Sequence, residues 1–319
     1  MKIVILERNS VGTDVSVDAI GRYGEVTAYA NTTKEEAAGR IADADIVIAN
    51  KTPLNESTLK DAGNVKLICL FATGYDNVDL KYCKSRGIKV ANVVNYSTDA
   101  VAQHTFALCL YLLEKLRHYD DYVKSGQYAA QDRFSNFDIP YTELAGKTWG
   151  IIGMGNIGRK VGRIAQAFGC RVIFHSVTGK SGCTQYERVD FETLLAQSDF
   201  LSLHCPLSSL TRDLINLEAL RKMKKSAILI NVARGPVVND ADLYTALTEG
   251  EIAAAGLDVT GTEPMRESNP LSRFTDSSRL IITPHMAWAS IEARTRCVEE
   301  TCRNIEAFRQ GVYRNIVDC

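Results

Sequence analysis

Short β-rich apolar runs alternate with helix-like segments along almost the whole chain, and this rhythm limits the folds open to it. In the first third, Lys2–Leu6, Glu25–Ala28, Asp45–Ala49, Val65–Phe71 and Lys89–Val93 read as strands. Helical stretches such as Lys34–Ala42 and Leu80–Arg86 lie between them. Strands joined by helical crossovers form parallel sheets. The runs are continuously apolar rather than alternating, as expected of strands covered on both faces.

The rhythm pauses at Thr98–Leu116, which reads as one long helix, and at the mixed stretch Arg117–Leu144. A second series then begins at Lys147. Its strands are Thr148–Gly153, Arg171–His175, Phe200–His204, Ala227–Val232, Ala253–Val259 and Leu280–Thr283. Helices are expected to start near Asn156, Phe191, Asn239 and Ser290, the last running to about Arg309. A length of 319 residues suits two domains. The pattern predicts an α/β protein of two doubly wound parallel-sheet domains. The last helix follows the final strand of the second series and is expected to return to the first. That gives one domain of residues 1–98 plus 289–319, and another of 99–288.

Composition excludes several classes of function. The net charge of −1 and the lack of a basic run argue against nucleic-acid or anionic-membrane partners. No stretch approaches the ~18 apolar residues of a membrane span. The apolar start Met1–Leu6 is too short for a signal peptide. The nine cysteines form no C-x-x-C pair, and Cys69, Cys109, Cys170 and Cys205 sit inside apolar runs. Reduced thiols in a cytoplasmic protein are the expectation. The five histidines show no ligand spacing, so no metal is expected.

The most informative local motif is G-x-G-x-x-G at Gly153, Gly155 and Gly158. It follows a strand and opens a helix at Asn156 and Ile157, the context that separates a dinucleotide fingerprint from an ordinary glycine-rich turn. Gly153 permits the tight turn, Gly155 lets a pyrophosphate approach the backbone, and Gly158 lets helix and strand pack closely. The helix N-terminus offers amides and partial positive charge to phosphates. The opening strand of the first series runs into Glu7-Arg8-Asn9-Ser10-Val11-Gly12, with no such fingerprint. One domain is thus expected to bind NAD or NADP, leaving the other for something else. An acid normally follows about 20 residues on, at the end of the next strand, to bind the ribose hydroxyls of NAD. Here that strand runs on through Ser176-Val177-Thr178-Gly179-Lys180. Without a carboxylate, and with Lys180 or Arg159 near a 2′-phosphate, the reading leans to NADP or dual use.

Three strand ends of the second series carry charge: Ala233-Arg234-Gly235, Gly261-Thr262-Glu263-Pro264 and Pro284-His285. In open α/β sheets, ligands bind beyond the carboxyl ends of the strands. Each residue alone could be an ordinary loop group. Together, beside a cofactor loop, they suit reduction of a 2-keto acid. A histidine supplies the proton that the carbonyl oxygen needs. A carboxylate beside it orients and charges the ring. An arginine grips the substrate carboxylate through paired hydrogen bonds.

Over nearly its whole length the chain resembles the D-2-hydroxyacid dehydrogenase family. The resemblance rests on Phe71–Asp79, Gly153–Gly158, Asn231–Gly235, Gly256–Val259 running on to Glu263-Pro264, and Thr283–Trp288. It implies a flavodoxin-like substrate domain, a Rossmann cofactor domain, a cleft between them and a homodimer. It implies that His285 is the general acid/base, Glu263 its partner, and Arg234 the group that holds the substrate carboxylate. Ala72, Thr73 and Gly74 would bind the same carboxylate. Asp258 and the Ala233 carbonyl would take the nicotinamide carboxamide, and Thr105, Ser176, Lys180, Cys205 and Pro206 would line the cofactor site, with His285 facing both ligands. Lys51, Thr52, Tyr75 and Met286 are the expected contacts to the substrate side chain. The stretch Tyr96–Thr105 is similar to glycerate dehydrogenases and hydroxypyruvate reductases, which implies a small substrate such as hydroxypyruvate or glyoxylate. The longer phosphoglycerate dehydrogenases carry a further regulatory domain, for which a chain ending at Cys319 leaves no room. The competing class is a dinucleotide-sensing protein, like corepressors on this fold, that binds cofactor with little turnover.

Overall fold

The computed structural model describes residues 1–317, so the last two residues of the expected 289–319 segment lie outside the description. The chain divides into two compact units, Met1–Ser97 with Trp288 onward, and Thr98–Ala287.

The first unit has five strands: β1 (Lys2–Ile5), β2 (Glu25–Ala28), β3 (Ile46–Ala49), β4 (Leu67–Leu70) and β5 (Lys89–Ala91). All pair in parallel, in the order β2-β1-β3-β4-β5. This is the flavodoxin-like order, whose direction reverses between β1 and β3. Strands β3 and β4 are buried throughout, as their unbroken apolar sequences require. Val4, Val47, Ile68 and Val90 pack with Ile41, Leu59 and Ile88 into one core. Helix Ile291–Arg309 belongs to this unit, and Asn304 Nδ2 donates to the Asn92 carbonyl.

The second unit has seven: β6 (Thr148–Ile152), β7 (Arg171–His175), β8 (Glu187–Arg188), β9 (Phe200–Leu203), β10 (Ile228–Asn231), β11 (Ala254–Leu257) and β12 (Leu280–Ile282). They are parallel, in the order β12-β11-β10-β9-β6-β7-β8. Read from β6, this is the Rossmann order extended by one strand, with its reversal between β6 and β9. One core contains Ile173, Leu201, Leu229 and Leu257, and a second contains Trp149, Phe174, Ile230 and Phe106.

Two features depart from the sequence reading. Strand β8 was not expected, because two residues are too few to carry a periodicity. The helix expected over Thr98–Leu116 ends at Leu113. Lys115 turns left-handed (φ 57°), and a separate helix covers Leu116–Lys124. Helix-forming residues run through this break, so composition hides it. A single turn at Gln127–Ala130 and irregular backbone fill the rest of the stretch to 144. Among the described residues, no helix is long and apolar enough to cross a membrane.

Candidate active site

The second unit builds its site at the carboxyl ends of its strands. Strand β6 leads through Gly153 (φ +94°) into helix Asn156–Ala167. A Cβ on Gly153 would lie 2.7 Å from the Cys205 nitrogen and the His204 carbonyl carbon, so this position admits only glycine. A Cβ on Gly158 would lie 2.3 Å from the Gly153 oxygen, which is the close helix–strand approach read from the motif. At Gly155 a Cβ would meet nothing within 4 Å. Gly155 is also the N-cap of the helix and makes no side-chain cap hydrogen bond. An open helix N-terminus, at the point where the sheet order reverses, fits a dinucleotide pyrophosphate.

The other expected cofactor residues are placed unequally. Ser176 follows β7, is buried, and its Oγ accepts a hydrogen bond from the Ser181 amide. Lys180, Arg159 and Pro206 are exposed, and Cys205 is buried. Burial pushes the Cys205 thiol up to about 11, so it is no thiolate near neutrality. Thr105 is completely buried, and its hydroxyl donates to the Val101 carbonyl of its own helix. It offers no surface to a ligand. The Ala233 carbonyl accepts from Arg234 Nη1 at 2.8 Å.

The charged strand ends are held by specific local bonds. At the end of β10, Asn231 is fully buried; its Oδ1 accepts from Ala233 N and its Nδ2 donates to the Arg234 carbonyl, both at 3.0 Å. These two bonds fix the turn that carries Arg234. A Cβ on Gly235 would fall 1.7 Å from the Thr260 oxygen, so the Arg234 turn lies directly against the loop that follows β11. That loop carries Glu263. It is anchored by Asp240, whose Oδ2 accepts from Gly261 N at 2.9 Å and Asn269 Nδ2 at 2.7 Å.

Glu263 Oε2 lies 2.7 Å from His285 Nδ1, and both side chains are partly exposed. With Nδ1 directed to the carboxylate, Nε2 is the ring nitrogen left for a ligand. His285 holds a left-handed backbone (φ +52°), a conformation that costs a non-glycine residue about 1 kcal/mol or more and persists only where neighbours enforce it. Asp258, 1% exposed, enforces it. Its carbonyl accepts from His285 N at 2.8 Å. Its Oδ1 accepts from the Thr283 hydroxyl at 2.6 Å and Met286 N at 2.8 Å, and its Oδ2 from Ala287 N at 2.8 Å. The side chain expected to face the nicotinamide is therefore bound into the turn that carries His285. His104, from helix Thr98–Leu113, completes the cluster with Nε2 2.9 Å from Thr283 Oγ1. Burial holds its imidazole below the usual histidine range, against the opposing pull of the Asp258 carboxylate. Sequence reading missed His104 and Thr283, because their contacts span 179 and 25 positions.

In the first unit, Thr73 and Lys51 are exposed, Ala72 and Gly74 half-buried and Thr52 buried. Thr73 Oγ1 donates to the Val93 carbonyl at 2.6 Å, and Asn92 Nδ2 donates to the Thr73 carbonyl at 2.7 Å. The Asn50, Lys51 and Thr52 amides converge on the Glu7 carboxylate at 2.7–3.1 Å.

Comparison with known proteins agrees with this geometry. Residues 106–287 match the family model described as D-isomer specific 2-hydroxyacid dehydrogenase, NAD binding domain. The chain is 38% identical to hydroxypyruvate reductase of Blautia hydrogenotrophica, covering 100% of both chains. It is 40% identical to glycerate dehydrogenase of Methylorubrum extorquens, covering 99% of each. Its fold is similar to that of an acyclic imino acid reductase solved with NADPH and D-Arg (TM-score 0.89, 30% identity, 99% of this chain and 100% of the other). With the glycine loop, the three charged strand ends and relatives that match from end to end, the chain belongs to the D-isomer specific 2-hydroxyacid dehydrogenase family.

Proposed function

We propose that the protein reduces a small 2-keto acid, hydroxypyruvate or glyoxylate, to the D-2-hydroxy acid, D-glycerate or glycolate. The observation that carries this reading is the Glu263–His285 contact of 2.7 Å, set on a strand end beside the Arg234 turn and in one sheet with the glycine loop. When bound, the nicotinamide dinucleotide supplies the hydride. Gly153, Gly155 and Gly158, with the helix opening at Asn156 and Ile157, hold its pyrophosphate, and Ser176, Lys180 and Pro206 lie toward the adenosine. Arg234 binds the substrate carboxylate by charge-assisted hydrogen bonds. His285 delivers a proton from Nε2 to the carbonyl oxygen, while Glu263 keeps the ring oriented.

The coenzyme is NADP, or both nicotinamide dinucleotides. The absence of a carboxylate after β7 and the exposed Lys180 support this. A homodimer in the cytoplasm completes the reading. The apolar side chains of Leu116, Val123, Phe134, Phe137 and Tyr141, 48% to 91% exposed, support burial of this segment against a second copy.

The test is steady-state oxidation of NADH and NADPH, followed at 340 nm, with hydroxypyruvate, glyoxylate, pyruvate and phenylpyruvate as separate substrates. Rapid turnover of hydroxypyruvate or glyoxylate is expected, with NADPH at least as good as NADH. Coenzyme binding without turnover of any of the four would favour a sensor and remove the proposal. Size-exclusion chromatography with light scattering tests the dimer; a monomer at micromolar concentration would exclude it.

A further inference from the structure

Thr283 has one hydroxyl proton and three neighbours that could use it. The Asp258 Oδ1 contact, at 2.6 Å, is short enough for a charge-assisted O–H···O⁻ bond, whereas the Leu257 carbonyl lies 3.4 Å away. The Thr283 hydroxyl therefore donates to Asp258, whose carboxylate also accepts from two backbone amides. It follows that Thr283 Oγ1 is an acceptor toward His104, and that His104 is the donor, with its proton on Nε2. His104 Nε2 is also 3.5 Å from Asp258 Oδ1. A chain of donors thus runs from His104 to Thr283 to Asp258, and Asp258 closes on the 285–287 backbone.

We propose that His104 is a positioning residue for His285, acting through the Thr283 hydroxyl and the Asp258 carboxylate to hold the left-handed turn that aims the His285 ring at Glu263. This rests on the reading of His285 as the proton donor. Each link is polar and largely shielded from water, where directed bonds restrict geometry most. The turn has few alternatives, since amides 285, 286 and 287 all donate to Asp258. Loosening it by a fraction of an ångström misaligns proton delivery without removing any group that holds the substrate carboxylate.

The experiment compares His104→Leu, His104→Gln and Thr283→Val with the unsubstituted protein, measuring kcat, KM for hydroxypyruvate and coenzyme Kd by fluorescence. His104→Leu and Thr283→Val should each lower kcat by roughly 10-fold, with KM and Kd within about twofold. His104→Gln keeps a donor and should recover most of the rate. The double variant His104→Leu/Thr283→Val should be little worse than either single one, because both break the same chain. Unchanged kcat in either single variant, equal loss in His104→Gln and His104→Leu, or independent multiplication of the two losses would overturn the proposal. Should His104→Leu not fold, Thr283→Val alone decides, since it removes one hydroxyl at constant shape. His285→Ala in the same assay separates the two readings. If it destroys turnover while His104→Leu is silent, His285 keeps its role and only the positioning chain falls.

Discussion

The two units place their strand ends alike but fill the crevice at the reversal of the sheet differently. In the second unit, the loop after β6 reaches that crevice with Gly155 facing open space, and the N-cap supplies no side-chain acceptor. In the first unit, the equivalent place lies between the ends of β1 and β3. There Glu7 follows β1, and its carboxylate accepts from the three consecutive amides after β3. The protein's own anion occupies the amide cradle that a ligand would otherwise use. Topology supplies an anion-binding position twice, and one side chain decides whether it serves a ligand or the fold.

Substitutions in either unit test this division of roles. The largest effect is expected at the charged edge of the second unit. Arg234→Ala should lower kcat/KM for hydroxypyruvate by roughly 10²-fold, since losing one partner of a charge-assisted pair costs about 2–5 kcal/mol. Unchanged kcat/KM would take the substrate carboxylate away from Arg234. Next is the glycine loop. Gly153→Ala puts a Cβ against the Cys205 nitrogen at a positive φ. The strain should raise coenzyme Kd by about 10- to 100-fold, measured by NADPH fluorescence. Gly39→Ala in the first unit meets nothing within 4 Å and should leave Kd alone.

Smaller effects test the self-filled crevice. Glu7→Ala strands three amides and should destabilise the first unit by about 1–3 kcal/mol in urea unfolding, with coenzyme Kd unchanged. A weakened coenzyme with normal stability would contradict the division of roles. The smallest effect is a pH slope in the second unit. Burial pushes the His204 imidazole from 6.5 down to about 3. Between those values the unfolded chain binds the extra proton, so stability is full above about pH 6.5 and falls as the pH drops toward 3. The slope is at most about 1.4 kcal/mol per pH unit. Unfolding midpoints between pH 5 and 7 should show this slope and lose much of it in His204→Gln.

Much of this was legible in the sequence, and the remainder was not for physical reasons. Continuous apolar runs mark strands that are covered on both faces, so the long strands of both sheets could be read. The glycine loop could be read because its spacing sits between a strand and a helix, where Gly153 and Gly158 each have a separate steric duty. The charged strand ends could be read because they follow strands directly. Side-chain partners across long separations could not. Nothing near Glu7 points to amides 43 to 45 residues away, and nothing near Asp258 reveals that it ties down the His285 turn. Thr105 shows the opposite failure: a polar residue on a promising helix is spent on its own backbone.

In the mechanism we propose, His285, held by Glu263 and by the turn fixed on Asp258, moves the proton. This role is tested most directly by the turnover of His285→Ala with hydroxypyruvate at saturating coenzyme. A loss of roughly 10²–10⁴-fold in kcat is expected, with coenzyme Kd and unfolding midpoint close to those of the natural chain. A rate near that of the natural chain, in a folded variant that binds coenzyme, would contradict it.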